Sequence, residues 1–215
     1  AATLVPLALA QPPADHVVLV TIDGLRWQEV FGGAQDELIH PDHGGVRELA
    51  SDLDRSLGGF VWIEGGRALL ATGQDLGQKS LYRVELRSGE ATRLFNDGTV
   101  AAVSSAGGST VFARNDLASP NDLYRLDGDS TKRLTRINED LLSGVEFGGF
   151  EQFSFPGWNG ETVHAYVVKP VDFDDERRYP LAFLIHGGPQ GSFGNRFHYR
   201  WNPQTYAGKG YAAVM

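Results

Sequence analysis

His186-Gly187-Gly188-Pro189-Gln190-Gly191-Ser192 follows the apolar run 181–185 and precedes a second apolar run at 211–215. Glycine has no Cβ, so the backbone at 187 and 188 can come close to a bound group. N–H groups offered by a loop at the end of a strand can surround an oxygen that turns negative during acyl transfer. The pattern predicts a buried strand over 181–185, a loop over 186–194, a helix within 197–209 that stops at Gly208 or Gly210, and a strand over 211–215. These elements supply half of a catalytic site. The other half would be a Gly-x-Ser-x-Gly turn followed by an acid and a histidine, and it does not occur in the 215 residues. Ser192 stands in Gln190-Gly191-Ser192-Phe193-Gly194, where Gln190 replaces the first small residue of such a turn. The strand before it already feeds the glycine loop, so Ser192 is not read as the nucleophile.

Upstream, residues 151–155 and 163–169 read as an antiparallel hairpin joined through Pro156-Gly157-Trp158-Asn159-Gly160. Asp172, Asp174, Asp175 and Glu176, followed by Arg177-Arg178, form a charged, solvent-facing connection to the strand that Pro180 introduces. Further upstream the periodicity is that of short strands. Runs at 60–63, 68–72, 81–86 and 92–95 are followed by runs at 100–104, 110–113, 123–126 and 132–134, with glycine-containing turns between them. Leu81-Tyr82-Arg83-Val84 matches Leu123-Tyr124-Arg125-Leu126 at a separation of 42 residues, and Thr92-Arg93-Leu94 matches Lys132-Arg133-Leu134. A four-stranded unit repeating at about 40–45 residues is the pattern of propeller blades, with a plain β-meander as the alternative. Rings have roughly four to eight blades, so the remaining blades are expected outside this chain.

Near the N-terminus, residues 16–22 form an apolar strand that delivers Asp23 to its C-terminal end, with Gly24 permitting a tight turn. Asp23 suits a divalent cation such as zinc, or the cap of the following helix. His40, Asp42 and His43 match metal ligands by type but stand in loop-like sequence, where a solvated loop is the simpler reading. Residues 1–10 are apolar and end in Ala8-Leu9-Ala10, which is similar to the end of a secretory leader and implies a secreted or periplasmic protein. No other segment approaches the roughly 20 apolar residues of a membrane span. Twenty-seven acidic residues against 19 basic give a net charge of -8, which argues against a nucleic-acid partner. The absence of cysteine excludes disulfides, a thiol nucleophile and thiolate metal sites.

Two resemblances follow from the quoted residues. Thr21-Ile22-Asp23-Gly24-Leu25-Arg26-Trp27 and Phe31-Gly32-Gly33-Ala34 make residues 16–45 similar to the opening of an alkaline-phosphatase-superfamily protein, which implies that Asp23 binds one of two metal ions. Residues 50–215 resemble the prolyl oligopeptidase family of serine peptidases, particularly its dipeptidyl aminopeptidase and acylaminoacyl peptidase group. The likeness rests on Ser51-Asp52-Leu53-Asp54-Arg55-Ser56, the repeated Leu81-Tyr82-Arg83-Val84, the hairpin 155–160, the turn His186-Gly187-Gly188-Pro189-Gln190, Trp201-Asn202 and Gly210-Tyr211-Ala212. It implies a β-propeller stacked on an α/β-hydrolase domain, peptide substrates, no cofactor, and an active site between the two.

The expected architecture is mixed β and α/β: a leader remnant over 1–10, a phosphatase-like segment over 11–48, partial propeller blades over 49–145, and the start of an α/β-hydrolase domain over 146–215. In the family, the residue at the position of His186 is often an oxyanion-stabilising tyrosine. His186, Gly187 and Gly188 are therefore the oxyanion-loop candidates, with His186 able instead simply to order the loop. The chain is expected to be a fragment of a serine peptidase, inactive by itself because the Ser-Asp-His triad is absent. The alternatives are a metal-dependent phosphatase or phosphodiesterase built on Asp23, and a non-enzymatic, propeller-like peptide-binding module. The sequence assigns no oligomeric state.

Overall fold

Alternating apolar and polar residues, broken by turns that favour positive φ, give eight short strands in the first half of the described chain. The computed structural model describes residues 48–128, 130–187 and 191–215. The leader-like residues 1–10, the strand 16–22 with Asp23, the His40, Asp42 and His43 group, and Gly188 lie outside the described residues. The strands are β1 (Leu57–Ile63), β2 (Ala68–Asp75), β3 (Gln78–Glu85), β4 (Ala91–Phe95), β5 (Thr99–Ala106), β6 (Ser109–Asp116), β7 (Ser119–Asp127) and β8 (Ser130–Arg133). They pair antiparallel as two consecutive meanders, β1 to β4 and β5 to β8. One parallel bridge, Lys79 to Thr99, connects the meanders.

The repeat read from the sequence is a repeat of structure. The meanders open at Leu57 and Thr99, 42 residues apart, and each first strand carries a register shift, at Gly58/Val61 and at Ala101/Ser104. Each third strand holds the chain that leaves the fourth. The Ser80 hydroxyl donates to Asn96 Oδ1 at 2.7 Å. In the second meander, Asp122 accepts from the Thr135 hydroxyl at 2.7 Å, the Ile137 N–H at 2.9 Å and the Arg133 guanidinium. Leu70 and Leu81 from one meander and Val100 and Phe112 from the other form a buried cluster, flanked by Val61, Phe95 and Tyr124. Each such side chain contributes about 1.5–3 kcal/mol on burial, so the meanders stabilise one another through this seam.

The second half builds a smaller sheet after a single helical turn, α1 (Glu139–Leu142). Its strands are β9 (Phe150–Pro156), β10 (Thr162–Val168), β11 (Leu181–Phe183) and β12 (Ala212–Val214), with α2 (Gln204–Ala207) before β12. The spatial order is β11-β12-β10-β9. β9 and β10 form the expected antiparallel hairpin, and β10 pairs antiparallel with β12. β11 and β12 run side by side in the same direction, with Leu181 opposite Ala212 and Phe183 opposite Val214. Parallel neighbours need a crossover, and the glycine loop together with α2 supplies it. Residues 49–215 form one compact unit. Among the described residues no helix is long and apolar enough to cross a membrane.

Two expectations are corrected. The apolar run 181–185 is not a fully buried strand: Phe183 is 65% and Ile185 75% exposed, while Ala182 and Leu184 pack inward. Alternation sends every second side chain away from the face on which Ala182 and Leu184 pack with the cluster that holds Leu117 and Ala207. The helix expected within 197–209 is reduced to α2. Pro203 disfavours a helical conformation for Asn202, and the Asn202 side chain accepts the Gln204 N–H at 3.0 Å, starting the helix only there. Gly208 ends it, within the expected pair of stop positions.

Burial alone would raise the Asp122 carboxyl pKa, but the hydrogen bonds from Ile137, Thr135 and Arg133 outweigh it and hold the pKa below its ordinary range. A depressed folded pKa contributes stability that is present above the unfolded value of about 4 and is lost as pH falls through the lower folded value. Asp122→Ala should therefore destabilise the chain by about 1–3 kcal/mol at neutral pH, since it removes the buried acceptor shared by three donors. The parent should lose that advantage in urea titrations as the pH is taken below about 4.

Candidate functional site

The site is built where the C-terminal end of β11 meets the hairpin tips of the meanders. Leu184 N–H donates to the Val214 carbonyl at 2.8 Å, so the strand ladder holds the chain up to the start of the glycine turn. An open cavity of about 1170 Å³ begins there. It is lined on one side by Phe183, Ile185, His186 and Gly187, across from them by Arg55 and Gln74, and by Ser192, Phe193 and Trp201. The lining mixes apolar and aromatic side chains with polar and charged ones, Asp54 and Arg196 among them. Arg55 is engaged by Asp75, whose other oxygen accepts from Arg93 at 2.6 Å.

His186 and Gly187 are thus both brought to the cavity, while Gly188 and Asp23 lie outside the described residues. The His186 ring is half-buried, edge-on to Phe193 at 6.0 Å, and its Nδ1 lies 3.2 Å from the Gly187 carbonyl oxygen. With its proton on Nδ1, this imidazole ties down the turn. Gly187 is exposed, and a Cβ there would touch nothing within 4 Å. Ser192 lines the cavity from an irregular segment, without the strand-to-helix turn that an activated serine requires. The acidic connection is exposed at Asp172, Asp174, Asp175 and Glu176. Among the described residues no three His, Cys, Asp or Glu side chains are grouped to hold a metal ion.

The far side of the turn is fixed by a contact that the sequence did not announce. Leu117, at the tip of the β6–β7 hairpin, is 1% exposed and lies in the core of the smaller sheet with Tyr166, Val168, Ala207 and Ala213. At the tip of the β2–β3 hairpin, Leu76 and Gly77 both have positive φ, the two-residue turn that matches strand twist. Gly77 packs on the Tyr166 ring, where a Cβ would come within 2.7 Å, and the backbone of Gly194 lies directly against the Gly77 carbonyl. Gln78 Nε2 donates to the Tyr166 hydroxyl at 2.8 Å. Burial and the charge of Asp97 raise the pKa of that hydroxyl, against the lowering effect of this hydrogen bond, so it remains a neutral acceptor. No spacing rule marks an isolated leucine or glutamine in a turn for such a role, and these contacts are visible only in three dimensions.

A strand, a glycine turn beside a cavity and a parallel return strand, with four-stranded meanders in the same unit, match the arrangement that the sequence likeness to the prolyl oligopeptidase family implies. Over about residues 50–215 the chain is similar to peptidases consistent with that family. It is 33% identical over 178 residues to a probable dipeptidyl-peptidase 5 of Aspergillus niger, with 79% of this chain and 24% of that protein covered. It is 28% identical over 174 residues to dipeptidyl-peptidase 5 of Schizosaccharomyces pombe, with 79% of this chain and 25% of that protein covered. In fold it is similar to Pyrococcus horikoshii acylaminoacyl peptidase, with a TM-score of 0.67 at 23% identity over 80% of this chain and 26% of that one. An acylaminoacyl peptidase in complex with Z-Gly-Gly-Phe-chloromethyl ketone gives a TM-score of 0.68 with the same identity and coverage. The chain spans about a quarter of the length of the relatives it matches. No family model matches it. The likeness of residues 16–45 to the alkaline-phosphatase superfamily finds no support among these relatives.

The two glycines on either side of the turn should respond differently to substitution. Gly194→Ala adds a Cβ against the Gly77 carbonyl at a backbone φ of +49°, and should cost more than about 1 kcal/mol in chemical denaturation. Gly187→Ala should leave the unfolding midpoint nearly unchanged, since its Cβ projects into open space.

Proposed function

We propose that the chain is part of a serine peptidase of the prolyl oligopeptidase family, which cleaves peptides by acyl transfer. Residues 49–145 supply two blades of a propeller and residues 146–215 the opening of an α/β-hydrolase domain. The observation that carries this reading is the parallel pairing of β11 with β12 across a glycine turn that opens on the cavity. In this reading the turn at 186–188 belongs to the oxyanion hole: backbone N–H groups around Gly187 and Gly188 stabilise the negative oxygen of the tetrahedral intermediate. His186 orders the turn from its contact with Gly187 and Phe193. The blades wall one side of the cavity and restrict which peptides reach it. The chemistry needs a serine, a histidine and an acid, and uses no metal or organic cofactor.

The nucleophile of this reading is not among the 215 residues, because no Gly-x-Ser-x-Gly turn occurs in them. A fluorophosphonate probe should leave the purified chain unlabelled. The polypeptide encoded by the whole reading frame should label at one serine outside these residues and hydrolyse N-blocked or dipeptidyl chromogenic substrates. Labelling of Ser192, or failure of the longer polypeptide to hydrolyse any peptide substrate, would overturn the assignment.

A further inference from the structure

Asn195 is 4% exposed, three residues beyond Ser192 at the end of the glycine loop. All four of its polar groups are spent on the two meanders. Its N–H donates to the Gly77 carbonyl at 2.6 Å. Its carbonyl accepts from the Thr99 hydroxyl at 3.0 Å. Its Oδ1 accepts from the Leu117 N–H at 3.1 Å, and its Nδ2 donates to Gln78 Oε1, also at 3.1 Å. The same Gln78 oxygen accepts the Gly98 N–H at 2.7 Å. Two residues further on, the Phe197 N–H donates to Asn115 Oδ1 at 2.8 Å.

The residue type is determined by these partners. One side must present an acceptor to a backbone N–H and the other a donor to an amide oxygen, which a carboxamide does and a carboxylate does not. Aspartate would face the Gln78 oxygen with a second acceptor. Glutamine, longer by a methylene, would shift the carboxamide off the Leu117 N–H and the Gln78 oxygen. The described residues on either side of the turn are therefore anchored, Leu184 by the β11–β12 ladder and Asn195 by this clasp. Donors that stabilise a developing charge act well only when they are held in place before the reaction.

We propose that Asn195 is a positioning residue for the glycine turn, locking the segment that leaves the turn onto both blade hairpins so that the blades set the geometry of the oxyanion-binding N–H groups. The proposal rests on the peptidase reading above. It makes the blades part of the catalytic scaffold as well as a filter for substrates.

The test uses the polypeptide of the whole reading frame, in its parent form and as Asn195→Ala and Thr99→Val, at a temperature where circular dichroism shows each to be folded. Asn195→Ala should lower kcat on a peptide anilide about 10- to 100-fold, as expected of a misplaced turn, with KM little changed. The rate of phosphonylation by the fluorophosphonate, which uses the same N–H donors, should fall in parallel. Thr99→Val is isosteric and removes only the bond to the Asn195 carbonyl, so it should fold and lower kcat about two- to tenfold. It decides the question if Asn195→Ala does not fold. A lower thermal midpoint with kcat and phosphonylation unchanged would mean a purely structural role and overturn the proposal. If the parent hydrolyses no peptide, the peptidase reading fails separately. Hydrogen exchange then judges the clasp: lost protection confined to residues 191–197 in Asn195→Ala upholds the positioning, and unchanged protection overturns it.

Discussion

The structure depends on the burial of a hairpin tip. Leu117 leaves the sheet that its own strands build and enters the core of a second sheet, and its backbone N–H must find a partner there away from water. An unpaired buried N–H costs about as much as the apolar contact gains, so the insertion holds only because the Asn195 carboxamide accepts that hydrogen. The same carboxamide satisfies Gln78, which in turn satisfies Gly98 and Tyr166. A single chain of polar groups thus closes around an apolar plug. The elements that approach it, the β2–β3 tip, the β6–β7 tip, β10 and the segment after the glycine turn, have their mutual positions fixed by it.

This explains why two copies of one repeat have diverged at equivalent places. In the first meander the hairpin tip is Leu76-Gly77, and Leu76 is 51% exposed. In the second it is Leu117-Ala118, with Leu117 buried. The first tip contributes backbone: the Gly77 carbonyl takes the Asn195 N–H, and the Leu76 carbonyl takes Gln152 Nε2 at 2.6 Å. The second contributes a side chain. Glycine is required where two backbones touch, and leucine where a core needs filling.

The eight meander strands and the β9–β10 hairpin were legible because alternation and glycine turns are local signals, read over a few residues at a time. The side-by-side pairing of β11 and β12 was legible from a short apolar run, a glycine turn and a second apolar run in that order. The extent of burial was not. The run 181–185 is apolar throughout, and composition does not tell which face a neighbouring strand will cover. The helix before β12 is shorter than its residue pattern suggests because Pro203 disfavours a helical conformation for Asn202. At the candidate site, His186 and Gly187, which stand out by their motif, line the cavity. Asn195, Gln78 and Leu117 were missed because their roles arise from contacts between residues 78 or more positions apart, and a lone asparagine between Gly194 and Arg196 carries no pattern.

Exposed Leu181 and Phe183 on β11 and Ile185 just beyond it point the same way, and the outer edge of β11 has no strand beside it among the described residues. Such an edge offers a row of free N–H and C=O groups next to greasy side chains, which is a template for another polypeptide. In these 215 residues taken by themselves, that border would favour self-association against the repulsion of the net charge of -8. Added salt would weaken the mutual repulsion between molecules while leaving the adhesive strip untouched.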